Sequence, residues 1–264
     1  MLKDIMLGQY LERDSIIHKL DPRVKILLVI FYIVILFVSE TFFGYLALGV
    51  FIAVSTLVSK IEFKYILKSL KPLLFIISLT LIIHLFLTKG GEVLWQWKFL
   101  SIEKKGLELG LFMAARLIFL ITFTSLLTLT TSPIELTDGL ERLLEPFKRF
   151  GVPAHELAMM MTIALRFIPT LLEEAEKILK AQKARGADFE SGNLIQKAKN
   201  LIPLLVPLFV SAFRRADELA LAMEARCYRG GEGRSRMNQL KLSTSDYLTG
   251  VIVSGFLIIV AIWA

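Results

Sequence analysis

Three stretches of the chain, roughly 72 to 88, 107 to 130 and 247 to 263, are apolar for about the length a helix needs to cross a bilayer core. A fourth, 26 to 58, is apolar apart from Glu40 and small polar residues, and as a single helix it would reach about 50 Å, longer than that core. A hairpin turning near Ser39 and Glu40 resolves the excess. It predicts spans over 24 to 40 and 41 to 59, with Lys25 and Lys60 snorkelling at the ends of the pair. The pattern therefore predicts an all-α polytopic membrane protein with about five transmembrane helices.

Residues 131 to 243 follow a different pattern, charged yet crossed by apolar stripes of helical period. Ser132 and Pro133 form an N-cap and N1 pair opening an amphipathic helix (Ile134, Leu136, Leu140, Leu143, Leu144) that ends near Phe150, where Gly151 and Pro153 break it. A second helix is expected from Ala154 to Arg185, kinked at Pro169. A third runs from about Asn193 to Arg226 or Arg229, bent by Pro203 and Pro207 and stopped by Gly230 and Gly231. Residues 157 to 172 are apolar enough to cross, but crossing there would place Lys177, Lys180, Lys183, Arg185, Lys197 and Lys199 on the far side. The return, 201 to 213, is only 13 residues with two prolines. Both helices are therefore read as lying at or under the membrane, apolar halves against the spans and charged ends in water.

Composition supports this division. Of 264 residues, 55% are hydrophobic and 21% charged, with 19 Phe and 3 Trp, which largely excludes a soluble globular enzyme. The single cysteine, Cys227, excludes an intrachain disulfide framework or a cysteine metal cluster. The net charge of +7 is one-sided: 26 of the 31 Lys and Arg lie before or at the start of the first span, after the second, or within 131 to 243, against Lys89, Lys98, Lys104 and Lys105 opposite. The positive-inside bias puts the amino terminus in the cytoplasm and the carboxyl terminus outside, with lipid rather than nucleic acid facing the excess charge. About twenty polar residues precede any apolar run, so no cleavable signal is expected. Tyr10, Trp95, Trp97 and Trp263 suit interfacial positions.

The second and third helices of the charged region share a repeat. Ala175, Glu176, Ala181, Ala184 and Arg185 recur 41 residues on as Ala216, Asp217, Ala222, Ala225 and Arg226. One reading is that the alanines let two helices cross closely while the charges are solvated. The other is that each helix presents an arginine at its carboxyl tip, two similar plugs for two similar sockets.

These residues resemble the transmembrane T component of energy-coupling factor (ECF) transporters. Ala184, Arg185 and Gly186 match one Ala-Arg-Gly signature of that family, and Ala225, Arg226 and Cys227 match the second with Cys227 in place of glycine. Ser15, His18, Lys19, Leu20, Asp21, Pro22, Arg23 and Lys25 match its amino-terminal pattern. The resemblance covers essentially the whole chain. It implies a scaffold in a prokaryotic cell membrane, joining two ABC-type ATPase subunits to a substrate-binding S component for vitamin or metal uptake. It divides the chain into an amino-terminal segment with four spans (1–130), a cytoplasmic coupling-helix region (131–243) and a last span (244–264). No G-x-x-x-x-G-K-[ST] phosphate loop occurs, so ATP hydrolysis is expected of partners, and neither cofactor nor metal ligand set is expected in this chain.

Two other features carry alternatives. Arg116, inside the fourth span, either packs against the S component or pairs internally, His84 being a candidate partner. Met159, Met160 and Met161, with Met113 and Met223, are either core filler or an adaptable docking face for S components. His18 and His155 read as surface or cap residues, and Glu173, Glu174 and Glu176 as a solvated face. An intramembrane transferase would need clustered carboxylates for Mg²⁺, and Asp138 with Gly139 lacks the required spacing. A self-sufficient secondary transporter would show inverted repeats among its spans, whereas the repeat found lies between the fourth and fifth.

Overall fold

The computed structural model describes residues 10–97, 100–187, 189, 193–231 and 240–263. The chain divides into two compact units, one built on Gly8–Leu140 and Gln239–Ala264, the other on Glu141–Asn238.

The first unit is organised around α2. A short α1 (Ile16–Lys19) leads to α2 (Pro22–Val38), whose first turn is set by Pro22 and by Asp21, the N-cap whose side chain accepts from the Arg23 amide. After a turn at 39–41 comes α3 (Phe42–Ser59), then α4 (Phe63–Leu70) and α5 (Leu74–Leu87), joined through a 3₁₀ turn at Lys71–Leu73 where Pro72 removes a helical donor. A hairpin of β1 (Val93–Trp97) and β2 (Leu100–Glu103) leads to α6 (Lys104–Thr130), and α10 (Thr244–Trp263) closes the unit. Tyr32 and Leu36 of α2 are fully buried among Leu48 of α3, Phe123, Leu126 and Leu129 of α6, and Leu257 and Val260 of α10. Ring contacts extend this core, Tyr32 to Phe123 at 4.3 Å and Phe51 to Phe256 at 5.5 Å.

Hydrogen bonds at both ends show that α2 and α10 run parallel over the same height. The Asp21 amide donates to Asp246 at 2.8 Å, and Thr41 Oγ1 donates to the Trp263 carbonyl at 3.4 Å. Lys25 Nζ reaches the Thr130 carbonyl at the end of α6 at 3.1 Å, and Arg13 reaches the Lys60 carbonyl beyond α3 at 3.3 Å. The starts of α2 and α10 and the ends of α3 and α6 therefore gather on one face, as the alternating spans require. A small-residue seam brings α5 and α6 together: a Cβ on Gly106 would sit 2.7 Å from the Thr88 carbonyl oxygen and 2.8 Å from that of His84.

Among the described residues five helical runs are long and apolar enough to cross a membrane: Phe42–Ser59, Phe63–Leu87, Lys104–Thr130, Ala154–Ala184 and Thr244–Trp263. The fourth has the lowest mean hydropathy, 1.2 against 1.9 to 2.2 for the others. The remaining expected span, α2, is 17 residues long, at the short end of the range that crosses. The chain is an all-α polytopic membrane protein as the pattern predicts, with four differences. The third span begins at Phe63 rather than 72. Lys25 does not snorkel but is buried on carbonyls. The helix expected to 150 changes to a 3₁₀ turn at Glu145–Phe150, where Pro146 interrupts it. The β1–β2 hairpin was not anticipated, its strands being too short to stand out beside the apolar runs. The side chains of Trp95 and Trp97 lie outside the described residues.

In the second unit, α7 (Pro133–Leu144, beginning in the first unit) ends and the 3₁₀ turn closes at Gly151, φ +85°. Two long helices follow, α8 (Ala154–Ala184) and α9 (Leu194–Ala225), each continuous through its prolines. Arg215 of α9 pairs with Glu174 of α8 at 3.1 Å.

Candidate functional site

The two arginines of the repeat occupy the same place in the same helix stop. Arg185 is the C-cap of α8; the Gly186 amide donates to the Lys183 carbonyl at 3.0 Å and the Ala187 amide to that of Gln182 at 3.0 Å. Arg226 is the C-cap of α9; the Cys227 amide donates to the Glu224 carbonyl at 2.8 Å and the Tyr228 amide to that of Met223 at 3.0 Å. Both patterns are Schellman caps, which need a left-handed residue just after the cap. Gly186 supplies it at φ +83° and Cys227 at φ +56°. Cysteine thus takes the conformation that glycine takes at the first tip, at an expected cost of about 1–2 kcal/mol for a residue with a Cβ. Ala184 and Ala225 form the last helical residue of each stop. Both arginines are exposed, and neither side chain has a partner among the described residues.

Glu174 and Arg215, the pair joining α8 to α9, are themselves 41 residues apart, so equivalent positions of the repeat meet at the crossing. Each arginine lies 11 residues beyond it, about 16 Å along its helix. The Tyr228 hydroxyl donates to Met159 Sδ at 3.0 Å near the start of α8, so α9 runs back along α8 and the tips point apart, on the order of 30 Å from one another. The arrangement offers two guanidiniums on similar mounts, each able to pair bidentately with a carboxylate.

Met160 and Met161 are exposed on α8 and Met159 is partly covered. Along α9, Ile202, Val206, Phe209 and Phe213 are also exposed, Phe213 by 68%. Arg116 has partners in its own unit: Nε donates to the Tyr45 hydroxyl at 2.8 Å, one terminal nitrogen donates to the Ser39 carbonyl at 3.2 Å, and the guanidinium lies 5.3 Å from the Phe37 ring. His84 is not among them; it meets Thr88 Oγ1 at 3.2 Å.

The amino-terminal motif closes the gathered face of the first unit. His18 is folded inward between Ser15 Oγ at 2.7 Å and the Leu11 carbonyl at 3.0 Å. Burial holds its imidazole below the ordinary value, with the Lys25 charge adding to this and the Leu11 carbonyl opposing it. Burial pushes the Asp21 carboxyl up, but the hydrogen bonds and charge of Arg23 outweigh it and keep the group below the usual carboxylate range. Asp246, absent from the sequence reading, is the buried pivot: one oxygen accepts the Asp21 amide at 2.8 Å and the other the Ser243 amide at 2.7 Å. The signal that would have found it is Ser243-x-x-Asp246, a capping-box pattern just before an apolar run.

The model of a family described as "Cobalt transport protein" matches residues 13–238. The energy-coupling factor transporter transmembrane protein EcfT of Clostridium kluyveri is 63% identical over 252 residues, covering 95% of this chain and 93% of its own. The chain belongs to this family. The proteins of the same name from Thermosediminibacter oceani and Bacillus subtilis are 58% and 46% identical, over 97% and 96% of the chain and 96% and 95% of their own lengths. The ECF resemblance read from the arginine repeat and the amino-terminal motif therefore holds over almost the full length. In this family's terms, the chain is a multi-pass transmembrane component of a transporter, and the repeat is the feature of its second unit that calls for a functional account.

Proposed function

We propose that the chain is the scaffold of an ECF-type importer, in which Arg185 and Arg226 each seat in one of two ABC-type ATPase subunits while the exposed apolar face of α8 and α9 holds a substrate-binding S component. The observation that supports this best is the pair of matched helix stops, placed symmetrically about the Glu174–Arg215 crossing. Two matched arginine stops suit two similar sockets. Closing of the ATPases on ATP would move the tips, and rigid helices would carry that motion to Met160, Met161 and the apolar residues of α9, tilting the S component. Met159 to Met161 suit a surface that several S components share, because unbranched thioethers repack easily. Arg116 serves this reading as a brace between α6 and the α2–α3 turn. The transported solute, a vitamin or a metal ion, would be chosen by the S component.

In this reading the amino terminus and both tips face the cytoplasm. The test is Arg185→Glu with Arg226→Glu in the assembled transporter. Truncating one buried member of a charged pair costs about 2–5 kcal/mol, and reversal costs more, so the double variant should release the ATPases and stop uptake while keeping the S component. Single variants should weaken ATPase contact and coupling measurably but without full dissociation, the other tip retaining the subunits at high local concentration. Lys180→Glu, exposed on the same helix, should be silent. Wild-type uptake by the double variant, or equal damage from Lys180→Glu, would leave the arginines as solvated charges.

A further inference from the structure

The two tips match through the arginine and the stop, then differ. Two residues after Arg185 stands Ala187, and two residues after Arg226 stands Tyr228. The Tyr228 hydroxyl donates to Met159 Sδ at 3.0 Å and lies 3.4 Å from His155 Nε2. His155 Nδ1 is in turn 3.0 Å from Glu141 Oε1, with side chains 24% and 14% exposed. Three residues past Tyr228 the chain passes directly over the imidazole: a Cβ on Gly231 would fall 2.6 Å from the His155 ring. The strand leaving the second tip is therefore stitched to the first two turns of α8, at the tyrosine and at the glycine, while Ala187 has no side chain long enough to make such a stitch.

We propose that His155 and Tyr228 are positioning residues that brace the Arg226 tip against the start of α8, making the two tips mechanically unequal. The proposal rests on the reading of Arg226 as an ATPase contact. Displacement of Arg226 reaches Met159, and with it the neighbouring exposed Met160 and Met161, through one hydroxyl and one imidazole rather than along the whole of α9. Among the described residues, no side chain just beyond Arg185 makes a comparable stitch, so that tip acts through α8 and its Glu174–Arg215 pair with α9. The second tip is the one that drives the apolar face of α8; the first serves as anchor.

Hydrogen exchange of the full-length chain in lipid nanodiscs reads the brace without any partner. Tyr228→Phe keeps the ring and removes the hydroxyl; His155→Leu removes both of the histidine's bonds. Each should speed exchange of amides 226–231 by at least about threefold, leaving amides 183–187 and the α8–α9 crossing unchanged. In the assembled transporter Tyr228→Phe should keep the ATPases bound yet lower uptake per ATP hydrolysed several-fold, and Ala187→Ser should do nothing. Arg226→Glu serves as the comparison, expected to weaken ATPase contact with exchange at 226–231 near wild type. Unchanged exchange in both Tyr228→Phe and His155→Leu would overturn the brace. Faster exchange with uptake per ATP unaltered would overturn its positioning role. Intact ATPase contact in Arg226→Glu would instead sink the underlying reading of the tip, an outcome visible separately. Should His155→Leu fail to fold, Tyr228→Phe carries the test alone.

Discussion

Asp246 clips two helix starts together with one carboxylate, and its removal has a calculable cost. It is 3% exposed, accepts the Asp21 amide at 2.8 Å and the Ser243 amide at 2.7 Å, and so satisfies a donor at the start of α2 and another at the start of α10. Asp246→Ala leaves both donors buried or half-buried without that acceptor. At about 1–3 kcal/mol for each, the loss is about 2–6 kcal/mol, or roughly 4–24 °C in Tm for a chain of this size. Asp246→Asn keeps the shape but turns an NH₂ toward one of the two amides, so about half of that loss is expected. Ser243→Ala removes only the bond from the Ser245 amide at 3.2 Å, an exposed contact, and should cost about 1 kcal/mol or less. Thermal unfolding of the three variants in nanodiscs, followed by circular dichroism, should rank them in that order. Asp246→Asn as stable as wild type, or Asp246→Ala milder than Ser243→Ala, would refute the clip.

Gly106→Ala drives a methyl against two backbone carbonyls and should cost about 1–3 kcal/mol, whereas Gly255→Ala on α10, with nothing within 4 Å, should be neutral or better; equal Tm values would show that the α5–α6 seam is not tight. Cys227→Gly relieves a left-handed residue, a gain of about 1–2 kcal/mol offset in part by glycine's greater chain entropy, while Gly186→Ala incurs the same penalty; exchange at the two stops should slow in the first and quicken in the second. His18, whose folded value lies below the ordinary one, binds its proton more readily in the unfolded chain, so its contribution is fully present above about pH 6.5 and falls as pH drops below that. Replacing it with Asn should flatten the decline in Tm between pH 7.5 and 5.5, and an unaltered slope would assign that decline to other groups.

The spans were legible because a bilayer allows few solutions: apolar length and the bias of Lys and Arg located α2, α3, α6 and α10 to within a few residues. The arginine tips were legible because a repeat with Ala and Arg at fixed spacing survives in one dimension. What the sequence hid was pairwise and distant. Lys25 looks like any flanking lysine until α1 and the end of α6 bring carbonyls to it. Tyr228 carries no pattern at all; its meaning depends on α9 folding back so that its hydroxyl meets Met159. Cys227 reads as a departure from a glycine stop, yet the chain holds it in glycine's conformation because the cap's two hydrogen bonds offset the strain.

Site-specific photocrosslinking from positions 185 and 226 in the assembled, lipid-embedded transporter asks whether each arginine seats in its own ATPase subunit. Each position should crosslink to an ATPase subunit, at one equivalent surface if the two are copies, with the two tips on different subunits and position 180 giving at most weak products. Crosslinks from both tips to a single ATPase subunit, or to lipid and the S component alone, would contradict the account of the paired arginines.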